Sequence, residues 1–347
     1  MSKILVTGGT GYIGSHTVVE LQNAGYTPII VDNLSNSNKG VLKQIAAITG
    51  KVPAFHEFDL CDEPKVIEFV NNNPDITGVI HFAASKAVGE SVQEPIKYYR
   101  NNFFSLVNLL SAFKNRDVNF VFSSSCTVYG QPKELPVTEN APVQKAESPY
   151  GNTKQVAEEI LSDTAKAFAN YHIIALRYFN PVGAHASALI GELPLGVPQN
   201  LVPFITQTAI GKREKITVFG DDYDTPDGSA IRDYIHVVDL AKAHVAAIKR
   251  LEEKKAKADY EVFNIGTGKG LSVLEIIKAF ESSTGVKLNY EIGARRAGDI
   301  EKVWGDVSKS TTELGWKAAL DVEEMMRSAW AWEVYLKEKN PFGSELI

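Results

Sequence analysis

Tyr150 and Lys154 stand four residues apart in Ser148-Pro149-Tyr150-Gly151-Asn152-Thr153-Lys154. On a helix, positions i and i+4 share one face, so the phenol and the ammonium are expected to point the same way. A neighbouring cation stabilises a phenolate and draws its pKa down from about 10. A tyrosine tuned in that way can take a proton from an alcohol. Ser125, in the run Ser123-Ser124-Ser125, offers a hydroxyl to share the proton. With a nicotinamide beside it, the alcohol is oxidised. Alone, the same spacing also describes an exposed helical pair with a snorkelling lysine, so the surroundings must decide.

The chain opens with Thr7-Gly8-Gly9-Thr10-Gly11-Tyr12-Ile13-Gly14, between an apolar run and a helical pattern. Gly9, Gly11 and Gly14 satisfy G-x-G-x-x-G, and Gly8, Gly11 and Gly14 the looser G-x-x-G-x-x-G. Glycine permits the tight turn and the close approach of a pyrophosphate. The following helix N-terminus supplies free N–H groups and a partial positive charge. The second apolar run ends at Asp32, 18 residues after Gly14. An acid there binds a ribose 2′-OH and repels a 2′-phosphate, which favours NAD over NADP. Phe58-Asp59-Leu60 ends the third run, where Asp59 is placed to reach an adenine amino group. Phe82-Ala83-Ala84-Ser85-Lys86 ends the fourth, and its small residues let a dinucleotide lie against the sheet edge.

Elements must hold these groups in place. Candidate strands run over residues 4–7, 27–31, 53–57, 78–82, 120–123 and 173–177. Helical periods run over 15–23, 64–71, 101–114 and 150–169. This alternation predicts an α/β fold, a Rossmann-like doubly wound parallel sheet covered on both faces. After about residue 180 the texture changes. Residues 180–228 are rich in Gly, Pro, Asn and Asp and read as functional loops with short elements. Helices are expected again over 238–252, 272–284 and 322–337. The expected division is an NAD-binding domain over 1–180, rejoined by 235–260. A smaller, discontinuous C-terminal substrate domain comprises 181–234 and 261–347.

Composition sets limits. The 347 residues carry a formal net charge of −6, which disfavours nucleic acid or a membrane surface as partner. Two cysteines, Cys61 and Cys126, are too few for a disulfide framework or a zinc site, so no metal is expected. There is no signal-peptide pattern and no apolar run near the ~18 residues of a membrane span. A cytoplasmic protein is expected.

Taken in order, the glycine loop, Asp32-Asn33, residues 82–91, 123–130 and 150–154 resemble an extended short-chain dehydrogenase/reductase. Tyr178-Phe179-Asn180-Pro181-Val182-Gly183-Ala184, Asn200-Leu201-Val202-Pro203, Arg232-Asp233-Tyr234-Ile235-His236-Val237 and Arg295-Arg296-Ala297-Gly298-Asp299 narrow the resemblance to the UDP-glucose 4-epimerase family, as far as about Trp332. The resemblance implies reversible inversion at sugar C4 by transient hydride transfer to tightly bound NAD. It makes Tyr150 the base, Ser125 the hydroxyl that relays or positions the proton, and Lys154 the residue that tunes Tyr150 and bonds the nicotinamide ribose. Gly8, Gly11, Tyr12, Ile13, Gly14, Asp32, Asn33, Asp59, Leu60, Phe82, Ala83, Ala84, Lys86, Asn101, Ser123 and Tyr178 complete the implied cofactor site. Arg232 and Arg296 would meet a UDP diphosphate, where a guanidinium fork matches phosphate oxygens. Asn180, Asn200, Leu201 and Asp299 would hold phosphate, uridine or ribose groups. Phe219 would pack on uracil, and Lys86, Ser125, Tyr150 and Tyr178 would face the sugar. A homodimer is also implied, through a four-helix bundle of residues 101–114 and 150–169 from each copy.

Two positions depart from the pattern. Cys126, beside Ser125, reads either as a catalytic acid or as a small buried space-filler, and the lack of an evident basic partner favours the second. At Val303, some relatives carry a bulky tyrosine. Valine leaves room for a 2-acetamido group, which would extend the substrates to UDP-GlcNAc and UDP-GalNAc. Competing readings are a nucleotide-sugar 4,6-dehydratase and a non-enzymatic dinucleotide sensor. The first family adds an Asp-Glu pair after its catalytic threonine, where this chain has Val128 and Tyr129 after Thr127. The second has no need of Tyr150, Lys154 and Ser125 together.

Overall fold

The computed structural model describes residues 2–296 and 300–343. Its first half alternates β1 (Lys3–Thr7), α1 (Tyr12–Asn23), β2 (Thr27–Asp32), α2 (Val41–Thr49), β3 (Ala54–Glu57), α3 (Glu63–Asn72) and β4 (Ile76–His81). Next come α4 (Val88–Gln93), α5 (Pro95–Phe113), β5 (Val118–Ser123), α6 (Pro149–Ala167) and β6 (Tyr171–Tyr178). Then follow β7 (Asn180–Val182), α7 (Leu201–Ala209), β8 (Ile216–Phe219), β9 (Ile231–His236), α8 (Val237–Glu252) and β10 (Tyr260–Ile265). The described chain closes with β11 (Gly270–Ser272), α9 (Val273–Thr284), β12 (Tyr290–Gly293), β13 (Lys302–Val303) and α10 (Val322–Lys339).

Seven strands form one parallel sheet in the order β10-β6-β5-β4-β1-β2-β3. Because the side-chain period of a strand is two, alternate residues of a doubly covered strand feed two different cores. Ile4 and Val6 join the core under α1, α2 and α8. Leu5 joins the core under α3, α5 and α6. The order reverses between β1 and β4, and a crevice opens there at the carboxyl ends of the strands. A smaller sheet holds β11, β9 and β13, with β7 also pairing β9, and β12 pairs β8. Val182, Val202, Ile205, Phe280 and Met326 belong to a third apolar cluster beneath them.

The Rossmann-like sheet agrees with the sequence reading, and four details differ. Helix α5 starts at Pro95 rather than Asn101, because proline is accommodated in a first helical turn, where its missing N–H is not needed. Helix α2 was not foreseen; it is short and buries only Val41 and Ile45. Strand β10 was not foreseen either. Its Glu261 is buried against Arg250, with Nε and Nη2 donating at 2.8 and 2.9 Å, so a charge interrupts the expected apolar run. The expected boundary at residue 261 falls inside this strand. Among the described residues no helix is long and apolar enough to cross a membrane.

Candidate active site

Ser148 caps α6, accepting from the Gly151 N–H at 3.1 Å, and Pro149 follows in the first turn. This start sets the helical phase. Tyr150 and Lys154 consequently lie on the buried face, only 7% and 5% exposed, so the pair is not a surface couple. The Lys154 ammonium donates to the Ser123 carbonyl oxygen at 2.7 Å. It also lies 4.6 Å from the Phe122 ring centroid and 5.9 Å from that of Tyr150. Ser125 is buried; its Oγ accepts from the Thr127 N–H at 3.2 Å and lies near enough to the Tyr150 phenol to favour its ionisation. Ser123 Oγ donates to the Tyr178 hydroxyl at 3.3 Å. The serine run at the end of β5 thus gathers Tyr150, Lys154 and Tyr178.

The electrostatics differ from the expectation that Lys154 makes the phenol acidic. Burial pushes the Tyr150 phenol well above 10 and the Tyr178 phenol reinforces this, while the Ser125 hydrogen bond opposes it. Burial also lowers Lys154 to about 8, against the pull of the Glu158 carboxylate. The ammonium is turned towards a carbonyl, and desolvation outweighs it at the phenol. His81 lies behind the pair, accepting from or donating to the Thr7 hydroxyl at 2.8 Å. Burial, helped by the Lys154 charge, lowers it to about 3, so it stays neutral.

The glycine loop fits a dinucleotide. Gly8 has φ +71°, and a Cβ there would meet the Ala83 nitrogen at 2.8 Å, so β1 and β4 approach closely only through a glycine. A Cβ on Gly14 would fall on the Gly8 carbonyl oxygen and lie 2.9 Å from the Gly9 Cα. No side chain caps the start of α1 at Gly11, which leaves the first-turn N–H groups of Tyr12, Ile13 and Gly14 for an anion. Asp32 accepts from the Thr10 N–H at 3.2 Å, the Leu34 N–H at 2.9 Å and the Ser37 hydroxyl at 3.2 Å. A carboxylate has about four acceptor sites, so one remains for a ribose hydroxyl. Asn33 donates to Asp59 at 3.1 Å, and Asp59 in turn accepts from the Cys61 N–H at 2.8 Å. Leu60 is buried; Ala83, its N–H 3.5 Å from the Thr7 hydroxyl, and Ala84 line the end of β4. Phe82 packs on His244 at 4.6 Å. Asn101 donates to Asn102 at 3.0 Å. These residues suit NAD.

The groups expected around a UDP-sugar fall into three clusters. The Lys86 ammonium sits 3.5 Å from Glu192, which also accepts from Asn200 at 2.7 Å. Asn200 occupies the cap position before Leu201, yet its side chain does not cap α7. Tyr12 donates to the Gly183 carbonyl at 2.6 Å and lies 6.0 Å from Lys86. The second cluster pairs Phe219, at the end of β8 and 45% exposed, with the Arg296 guanidinium 5.8 Å from its ring centroid. In the third, β9 and β13 place Arg232 opposite Val303, and Arg232 donates to the Ile231 and Glu301 carbonyls at 2.8 and 3.4 Å. Asn180 opens β7, opposite Tyr234. Asp299 lies outside the described residues.

Arg232 also bears on Cys126, a cation the sequence reading did not foresee. Burial nevertheless pushes the Cys126 thiol up to about 12, with Asp233 opposing the guanidinium. Such a thiol is inert. Sequence reasoning overlooked Glu192, which sits in an irregular loop with no pattern around it. It also overlooked Glu158, whose i+4 spacing from Lys154 was the available signal. No cluster of three metal-binding side chains occurs among the described residues.

A family model described as GDP-mannose 4,6 dehydratase matches residues 5–329. A UDP-glucose 4-epimerase of Dictyostelium discoideum is 50% identical over 332 residues, covering 95% of each chain. Two solved structures superpose closely. One is a UDP-glucose 4-epimerase from Stenotrophomonas maltophila with bound NAD and formylated UDP-arabinopyranose. It has a TM-score of 0.93 and 47% identity, covering 97% of this chain and 99% of that one. The other is from Bifidobacterium longum, in complex with NAD+ and UDP, with a TM-score of 0.92, 48% identity and coverage of 98% and 100%.

Proposed function

The chain belongs to the UDP-glucose 4-epimerase family, within the wider group matched by the GDP-mannose 4,6 dehydratase model, and on that premise we propose that it interconverts UDP-glucose and UDP-galactose with NAD as its cofactor. The observation that carries the reading is the meeting of Tyr150, Lys154 and the Ser125 hydroxyl at the end of β5, beside the glycine loop. A dehydratase needs acids to eliminate water across C5–C6. At the matching positions stand Val128 and Tyr129, both sunk in an apolar cluster.

NAD, when bound, would supply the acceptor and donor of a hydride. The chain does the rest. Gly8 to Gly14 and the start of α1 hold the pyrophosphate, and Asp32 holds the adenosine ribose. Tyr150 takes the proton from O4, Ser125 orients that proton, and Lys154 adds the charge that offsets burial of the phenolate. Arg232, Arg296, Asn180 and Asn200 grip the UDP firmly, with Phe219 and Leu201 against uracil and ribose. The ring then has freedom to present its other face. Incubating the purified protein, with no cofactor added, with UDP-galactose tests this: UDP-glucose should form without loss of water and without net NADH. Product lighter by one water would favour the dehydratase, and NAD binding without any turnover would favour a sensor.

Residues 1–180 and 235–260, extended to Ile265 by β10, form the cofactor part on this reading, and the remainder the UDP-sugar part. A homodimer through α5 and α6 is part of the same proposal. Phe104 and Val107 are 49% and 41% exposed on α5, which suits a helix face that meets its symmetry mate. A monomer mass in sedimentation would retire it. Two free cysteines support a reducing, cytoplasmic setting.

Substrate breadth turns on Val303, 4% exposed in the cluster that includes Phe179 and borders Cys126. Valine is smaller there than a tyrosine side chain would be. Wild type is expected to epimerise UDP-GalNAc as well as UDP-galactose. Val303→Tyr should lose the N-acetyl activity by about tenfold or more, with an overpacking cost of roughly 1–3 kcal/mol in stability. A wild-type protein inert towards the N-acetyl pair retires the idea.

A further inference from the structure

We propose that Glu158, clamped by Arg177, is a positioning residue that locks the Ser123–Ser125 run to α6 and so sets the Lys154 ammonium and the Ser125 hydroxyl against the Tyr150 phenol. The proposal rests on the epimerase reading of that site. Tyr150, Lys154 and Glu158 follow one another at i, i+4 and i+8 on the buried face of α6. Ser124 Oγ donates to Glu158 Oε1 at 2.5 Å. Its neighbours are the two residues that carry the chemistry. Ser123 accepts from Lys154 through its carbonyl, and Ser125 favours ionisation of the phenol. One carboxylate therefore fixes the strand end that both groups depend on.

Arg177 reaches across from β6, its Nε 3.0 and 3.2 Å from the two Glu158 oxygens and its Nη2 2.6 Å from Oε2. Its Nη1 donates to the Glu139 carbonyl at 3.2 Å, and the guanidinium lies 4.9 Å from the Tyr129 ring centroid. The Tyr260 hydroxyl donates to Glu158 at 3.3 Å from β10. Glu158 and Arg177 are both buried. A buried ion pair adds little net stability over well-packed apolar residues, and its use lies in fixing one geometry. With its oxygens taken up by these donors, Glu158 acts through its neighbours rather than on the substrate.

It also acts by charge. Facing Lys154 are Tyr150 and Glu158 from α6, His81 from β4 and the Phe122 ring from β5. Facing Glu158 are Arg177, Tyr129, Tyr260 and, beyond them, Glu139. Burial lowers Lys154 to about 8, and Glu158 is the group that raises it. The carboxylate thus helps to keep the ammonium charged near neutrality.

The test titrates the Lys154 side chain by carbon NMR in the full-length protein as purified, with the signal assigned against Lys154→Arg. Glu158→Gln keeps an acceptor for Ser124 but removes the charge, and should lower the midpoint by about one pH unit or more. Arg177→Gln leaves the carboxylate uncompensated and should raise it. The alkaline limb of kcat for UDP-galactose should move in the same two directions. If either single variant fails to fold, Glu158→Gln with Arg177→Met removes both charges and should still give the downward shift. A purely structural pair would lower thermal stability in every variant and leave the midpoint in place. An unmoved midpoint, or shifts of the same sign in the two single variants, overturns the proposal. Absence of turnover in the wild type would instead strike the epimerase reading, and the Lys154 titration separates the two.

Discussion

Tyr150→Phe is expected to abolish C4 inversion, lowering kcat by roughly three orders of magnitude, the middle of the range for a lost general base. The hydroxyl it removes lies beside Ser125 and is the group proposed above to receive the O4 proton. The rest of the ring remains in its buried position, so folding and NAD content should be unchanged. That separation is the value of the variant. A fall in kcat with NAD still bound, measured by coupled assay with UDP-galactose, assigns the loss to chemistry. Undiminished inversion would remove the tyrosine from the mechanism and with it the role given to Lys154. The pH profile should agree. The protein alone holds the phenol above 10 and Lys154 near 8, so the charge of Lys154 matters for reaching the phenolate. Activity should decline above about pH 8 as Lys154 loses its proton.

The second large effect is expected at Gly14. An alanine Cβ there would clash with the Gly8 carbonyl oxygen and press on the Gly9 Cα at 2.9 Å. Both contacts are to backbone, which cannot rotate out of the way. The loop must therefore open where it is meant to close on a pyrophosphate. Gly14→Ala should emerge from purification without NAD, its retention weakened by about 100-fold, equivalent to ~2.7 kcal/mol. An overpacking cost of roughly 1–3 kcal/mol should lower Tm as well. The absorbance released on acid precipitation, compared with wild type, checks the first, and thermal denaturation the second. A variant that retains NAD and activity would show that the loop does not bind the pyrophosphate as described.

Some of this was readable one residue at a time. The alternation of β1 to β6 with helices follows from apolar period, since a strand buried on both faces and a helix buried on one leave different patterns. The glycine loop and Asp32 needed only their spacing. Tyr150 and Lys154 needed only the helical repeat and the Ser148-Pro149 start that sets its phase. Asn200 shows where such local reading ends. Its position is a helix cap, but its side chain goes to Glu192, eight residues earlier, for reasons that lie in the meeting of two loops.

Sequence by itself determined the parallel sheet, the glycine-rich turn after β1 and the pairing of a phenol with an ammonium, because each is a local pattern with a fixed period. Tertiary structure alone decided that desolvation governs the phenol and that Lys154 turns to the Ser123 carbonyl. It alone brought Arg177 from β6 and Tyr260 from β10 onto Glu158. Burial and long-range charge depend on everything packed around a group, and the order of residues along one helix does not contain them.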